Sequence, residues 1–158
     1  MPNTYTQLYA QIVFAVKGRQ SLIPTSRKEE LHQYITGIVQ NRGQKLLAVH
    51  CMPDHTHLLV GFSPTMAFSD LVHDVKRATS LWIKEQNMVK GRFYWQEGFG
   101  AFTYGQSQVK DVVAYVLSQE EHHRKRTFRE EYFAFLNRFE VPFDERYVFE
   151  FYDTSAEE

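Results

Sequence analysis

Met52-Pro53-Asp54-His55-Thr56-His57-Leu58-Leu59-Val60 joins a tight Pro-Asp turn to an apolar run of strand character. Side chains alternate faces along a strand, so His55 and His57 share one face. Thr56, Leu58, Val60 and Phe62 share the other, where a buried core is expected. Two imidazoles on one face of a rigid strand are candidate ligands for a divalent metal. Asp54 beside them is read first as a turn residue, with orientation of a histidine as the alternative.

The neighbouring elements set this strand in a fold. Residues 5–16, rich in β-branched and aromatic side chains, read as a long first strand. A capping-box pattern, Ser26-Arg27-Lys28-Glu29, precedes Leu31, Tyr34, Ile35, Ile38 and Val39 at helical spacing, with Gly43 as the stop. Residues 45–51 form a second strand, paired antiparallel with 55–62. Ser63-Pro64-Thr65 ends that strand, and Phe68, Leu71, Val72, Val75, Thr79 and Trp82 mark one face of a long helix. Residues 93–104 read as extended. The order strand, helix, strand, strand, helix, strand predicts an α+β fold, a ferredoxin-like sandwich (βαββαβ) on a central antiparallel sheet. Helices follow at the C-terminal end. One is predicted over 108–122 behind Ser107 as its cap. A shorter one follows the capping box Thr127-Phe128-Arg129-Glu130, with Tyr132, Phe135, Leu136 and Phe139 on its apolar side.

At 158 residues, with 43% hydrophobic and 15% aromatic content, the chain reads as a single domain with a real core. Its parts are a body (1–104), a helix region (105–123) and a C-terminal helix with an acidic, aromatic tail (124–158). The stretch Tyr147–Tyr152 is expected to pack on the body or on a second subunit. A single cysteine, Cys51, excludes an internal disulfide, and no run is long enough to span a bilayer. A cytoplasmic protein is expected. The net charge of −1 hides an asymmetry: seven acids and one base in residues 140–158 leave residues 1–139 at +5, a balance suited to a polyanion.

Along the predicted third helix, Val109, Val112, Val113 and Val116 form a core stripe. Tyr115 and Gln119 lie beside it, one turn apart and about 40° apart in projection. By itself such a pair reads as surface or interface. His32, His50 and His73 read as surface or turn histidines.

Taken together, Met-Pro-Asp-His-Thr-His and Tyr-Val-Leu-Ser-Gln resemble the HUH transposases of the insertion-sequence 200/605 type, which use one tyrosine. The likeness extends to residues 5–18 and to Trp95-Gln96-Glu97-Gly98-Phe99. It implies that His55 and His57 are paired metal ligands, that Gln119 is the third, and that Tyr115 is the nucleophile. It also implies cleavage and rejoining of single-stranded DNA at hairpin-marked element ends, and a homodimer in which each tyrosine helix completes the partner's site. Thr56 departs from the family's His–hydrophobic–His pattern. Facing the core, it is expected to pack its methyl group and bond a carbonyl through its hydroxyl.

The chemistry suits these groups. A tyrosine hydroxyl titrates near pKa ~10 and is a poor nucleophile at neutral pH. A divalent cation, Mg²⁺ or Mn²⁺, would stabilise charge on the phosphate, and neutral ligands leave that charge available. Candidates for DNA contact are Lys17, Arg19, Lys76, Arg77, Lys84, Lys90 and Arg92, with Phe93 or Tyr94 stacking on bases and the basic run His122–Arg126 nearby. The rival readings are a REP-associated tyrosine transposase, a non-catalytic ferredoxin-like nucleic-acid-binding module, and a metal-dependent hydrolase. The first is typified by an Asn-Pro absent here, and the last lacks a clear carboxylate partner for the histidines.

Overall fold

A computed structural model describes residues 3–144 and Val148. Four strands, β1 (Leu8–Ala15), β2 (Lys45–Met52), β3 (His55–Phe62) and β4 (Gly100–Tyr104), form one sheet in the order β2-β3-β1-β4. Every neighbouring pair is antiparallel, as the ferredoxin-like order requires. Helices α1 (Lys28–Asn41) and α2 (Phe68–Glu85) connect the strands and cover one face. Ile12, Phe14, Leu58, Val60, Leu31, Ile35, Leu71 and Val75 form the core between them.

The other sheet face is covered as well, by α3 (Val109–Leu117) and α5 (Phe128–Arg138). Val13, Ala15 and Phe102 meet Phe128, Phe135 and Leu136 there, while Ala48 and Leu59 meet Val112 and Val116. β3 is therefore covered on both sides, and His55 and His57 lie inside the molecule rather than on an open sheet. Gly100 lets α5 approach, because a Cβ there would stand 2.6 Å from the Tyr132 hydroxyl.

Several local expectations change. The extended stretch 93–104 is strand only from Gly100; before that it touches the sheet at a single bridge, Val16 to Trp95. The predicted third helix breaks at Ser118 (φ −103°, ψ 29°), and a short α4 (Gln119–His123) follows. Ser118 Oγ donates back to the Ala114 carbonyl and Gln119 Nε2 to the Tyr115 carbonyl, groups that a continuous helix would use. Ser107 is not the cap: Gln108 Oε1 instead accepts from the Gly105 N–H. Ser26 caps nothing either, since α1 starts at Lys28 after a 3-10 turn and Arg27 pairs with Glu30. The Thr127 cap forms, its hydroxyl oxygen accepting from Glu130 N–H at 3.2 Å. Gly43 ends α1 at φ +72°.

Thr56 faces the core opposite Cys51, and its buried hydroxyl makes no hydrogen bond to a carbonyl. The expected packing of Tyr147–Tyr152 and the acidic tail lie outside the described residues, except that the Val148 carbonyl accepts from Gln96 Nε2. No helix among the described residues is long and apolar enough to cross a membrane.

Candidate metal and tyrosine site

β3 presents both histidines to the α5 side of the sheet, where each ring is held through Nδ1. Asp54 Oδ1 lies 2.6 Å from His55 Nδ1, and Gln11 Oε1 lies 2.7 Å from His57 Nδ1. Both oxygens take an Nδ1–H, which fixes the tautomer and leaves each Nε2 with a bare lone pair. Gln11 is itself oriented by donating from Nε2 to the Tyr104 hydroxyl at 2.9 Å. Burial pushes His55 down to about 4 against the opposing pull of Asp54, so its imidazole is neutral at pH 7. Its Nε2 is buried without a hydrogen-bond partner. Asp54 thus fills both proposed roles, since its backbone carbonyl also receives Val16 N–H in the turn.

Two side chains from the following helices converge on these nitrogens. His123 of α4 and Glu131 of α5 join His55 and His57 in a cluster whose donor atoms all lie within 4.8 Å of one another. Glu131 Oε1 is 3.0 Å from His57 Nε2, 3.4 Å from His123 Nε2 and 3.9 Å from His55 Nε2. Glu131 Oε2 accepts a hydrogen bond from the Tyr115 hydroxyl. Burial alone would raise the Glu131 pKa, but hydrogen bonds from His123 and from the Tyr115 hydroxyl help to hold it below the usual carboxylate range. Burial and the Glu131 charge push Tyr115 far above an ordinary tyrosine, so its hydroxyl keeps its proton in this arrangement. Phe128 lies flat on the His55 ring, centroids 3.9 Å apart and planes within 8°, and shuts water out from that side.

The donor set suits a divalent cation. The Nε2 atoms of His55 and His57, a third imidazole and a buried carboxylate face one point, and one of those nitrogens has no other partner. The expected third ligand, Gln119, is fully buried next to this cluster, with its Oε1 bonded to His123 Nε2 at 3.1 Å. Tyr115 stands against its own chain's histidines, 6.2 Å from His57 between ring centroids. A cavity of about 300 Å³ leads to it, lined by Gln11, Tyr104, Tyr115, Arg126, Glu131 and Arg138 among others.

The basic residues expected at DNA lie elsewhere. Lys76, Arg77 and Lys84 are on α2, across the sheet from the histidines. Arg77, Lys84 and Arg92 are exposed. Lys76 is committed to the carbonyls of Gln96 (2.8 Å) and Gly98 (2.6 Å), and burial lowers its pKa to about 8. Lys17 is exposed with its ammonium 5.9 Å from the Tyr94 ring; Arg19 falls in the adjoining turn, its side chain outside the described residues. His32 and His50 are not surface residues. His32 Nε2 accepts from Cys51 N–H, and burial pushes His50 down to about 4 beside Lys28.

Residues 4–119 match the family model described as Transposase IS200 like. This chain belongs to the IS200-like transposase family. It is 22% identical over 120 residues to the ISDra2 transposase TnpA of Deinococcus radiodurans, covering 73% of this chain and 86% of that one. It is 23% identical over 117 residues to the transposase of insertion sequence IS200 from Salmonella typhimurium, covering 70% and 77%. Two solved structures share the fold. One is described as a transposase from Deinococcus radiodurans, with TM-score 0.56 and 22% identity over 74% of this chain and 94% of that one. The other is a REP-associated tyrosine transposase bound to a REP hairpin, with TM-score 0.57 and 17% identity over 77% and 72%.

In this IS200-like transposase the segment matched to the family stops at Gln119, so His123 and Glu131 lie beyond it. Sequence reasoning assigned neither residue to the metal, and it missed Gln11. Two of the three carry a signal. Glu131 falls three residues after Phe128 and four before Phe135, so a carboxylate occupies the apolar stripe of α5. Gln11 is a fully buried amide in an otherwise apolar strand. His123 sits in a basic run and gives no such sign.

Proposed function

We propose that this IS200-like transposase cleaves and rejoins single-stranded DNA at hairpin-marked element ends. The nucleophile is Tyr115, which forms a 5′-phosphotyrosine, and a divalent metal, Mg²⁺ or Mn²⁺, is held at His55, His57 and Gln119. The observation that carries this reading is the convergence of the Tyr115 hydroxyl and two bare imidazole nitrogens on one buried carboxylate. Gln119 would join the ligand set through Oε1, the atom now bonded to His123 Nε2.

The chain's residues divide the work. Asp54 and Gln11 hold the imidazoles in the ligating tautomer. Tyr115 Oη gives its proton to Glu131 Oε2 and attacks phosphorus in line; the P–Oη bond forms, the P–O3′ bond breaks, and the same proton passes to the departing oxygen, which leaves as a 3′-hydroxyl. The ion supplies, when bound, positive charge for the non-bridging phosphate oxygens. The phosphotyrosine keeps the energy of the ester, so a second 3′-hydroxyl reverses the step without ATP. Arg126 and Arg138, lining the cavity at Tyr115, are placed for backbone phosphates. The hairpin requirement is carried from the hairpin-bound relative. A single chain holds every side chain used here; the homodimer implied by the family resemblance is a further proposal, measurable by sedimentation. Of the rival readings, the REP-associated type shares the fold, and the Asn-Pro expected of it is absent from Tyr115-Val116-Leu117-Ser118-Gln119-Glu120.

The test mixes the protein, Mn²⁺ and end-labelled hairpin-bearing single strands from the element's own ends. A denaturant-resistant protein–DNA adduct is expected from the wild type and not from Tyr115→Phe. DNA binding with no adduct would favour the non-catalytic module.

A further inference from the structure

Glu131 is 1% exposed, and it comes from a helix outside the segment that matches the family. Its Oε1 faces three Nε2 atoms. Two of them, on His55 and His57, present lone pairs, because their Nδ1 protons are given to Asp54 and Gln11. Two lone pairs turned toward one anionic oxygen repel it unless a cation stands between them, which is the arrangement of a coordination shell. The spacings agree. Ligand atoms each about 2.1 Å from a shared ion lie roughly 3.0–3.4 Å apart in octahedral or tetrahedral geometry. Oε1 is 3.0 Å from His57 Nε2 and 3.4 Å from His123 Nε2, with His55 Nε2 slightly farther at 3.9 Å.

We infer that Glu131 is a metal ligand that bridges the ion to the nucleophile, with Oε1 on the ion, Oε2 accepting from the Tyr115 hydroxyl, and His123 as a neighbouring ligand. This rests on the reading that His55 and His57 hold a metal. It adds that α5 supplies the anionic ligand and that one side chain couples occupancy of the site to placement of Tyr115. α5 is anchored for the task by Phe128 stacked on His55 and by the Thr127 cap. Three imidazoles and one carboxylate also favour Mn²⁺ or a later metal over Mg²⁺, which prefers oxygen ligands and retains its waters.

Calorimetric titration of the full chain with MnCl₂, without DNA, tests the inference on binding rather than on activity. The wild type is expected to bind Mn²⁺ and His57→Ala to lose it. Glu131→Gln and the shorter Glu131→Asp should each weaken binding about tenfold or more. Wild-type affinity in folded Glu131→Gln, with His57→Ala inactive in binding, overturns the bridging role and leaves the histidine site standing. Absence of Mn²⁺ binding by the wild type overturns both. Should the Glu131 variants fail to fold, anomalous scattering from a Mn²⁺-loaded wild-type crystal decides: an ion in contact with Oε1 supports the bridge, and an ion away from it refutes it.

Discussion

Gln11→Leu separates the orientation of His57 from its mere burial. Gln11 is fully buried, accepts His57 Nδ1–H at 2.7 Å and donates to the Tyr104 hydroxyl at 2.9 Å. Leucine has similar volume, so little cavity is created, but the fully buried His57 N–H loses its acceptor. Such an orphaned donor costs about 1–3 kcal/mol of stability. Tyr104 is only half-buried and can turn to water, which keeps the cost toward the lower end. The metal should feel a second effect. Without Gln11 the His57 proton is free to move to Nε2, the nitrogen the ion needs, and loss of such an orienting partner typically lowers affinity 10–100-fold. Urea denaturation gives the first quantity and Mn²⁺ calorimetry the second. Gln11→Glu retains an acceptor for Nδ1–H and should keep Mn²⁺ affinity even if the added buried charge lowers stability. A Gln11→Leu protein that is less stable yet binds Mn²⁺ within about twofold of wild type would refute the tautomer argument.

Two further outcomes follow from charges around the fold. His50, flanked by Lys28, His32 and Glu120, has its pKa lowered by burial to about 4 from 6.5. Between those values the unfolded chain binds the extra proton, so this contribution is fully present above pH 6.5 and lost as pH falls toward 4. Metal-free protein should therefore lose stability on acidification, and His50→Gln should flatten the slope by up to about 1.4 kcal/mol per pH unit. An unchanged slope in urea titrations at pH 7, 6 and 5 would contradict it. Arg126 and Arg138, at the Tyr115 cavity, should each contribute about 0.7 to the slope of log K against log[salt] for single-stranded DNA. Alanine at both should lower that slope by about 1.4, whereas an unaltered slope would place the phosphates elsewhere.

The ferredoxin-like frame was legible because its signals are local and periodic. Alternation along residues 8–15 and 55–62, helical spacing around Leu31 and Leu71, and the glycine stop at Gly43 each point to one element. The break at Ser118 was not legible, since Val109 to His122 keeps an unbroken helical pattern and no glycine or proline marks the departure. The site divided in the same way. His55 and His57 announce themselves by their alternation, and Tyr115 and Gln119 acquire meaning through family likeness. The partners of those groups required tertiary structure. Glu131 reaches the histidines only because α5 folds over a sheet face that a bare ferredoxin-like body would leave open, and Gln11 arrives from β1 through strand register. The carboxylate whose absence counted against a hydrolase is thus present in space though distant in sequence. Burial of His32 and His50 was hidden for the same reason: it is set by the packing of α1 against β2.

In the proposed reaction Tyr115 bonds covalently to DNA at a metal site built on His55 and His57. The most direct test is mass spectrometry of the protease-digested adduct formed with Mn²⁺ and hairpin-bearing single strands from the element ends. A nucleotide phosphate is expected on the peptide containing Tyr115, and none when His57 is replaced by alanine. A nucleotide on a different residue, or an unmodified Tyr115 peptide in protein that has cut its DNA, would contradict it.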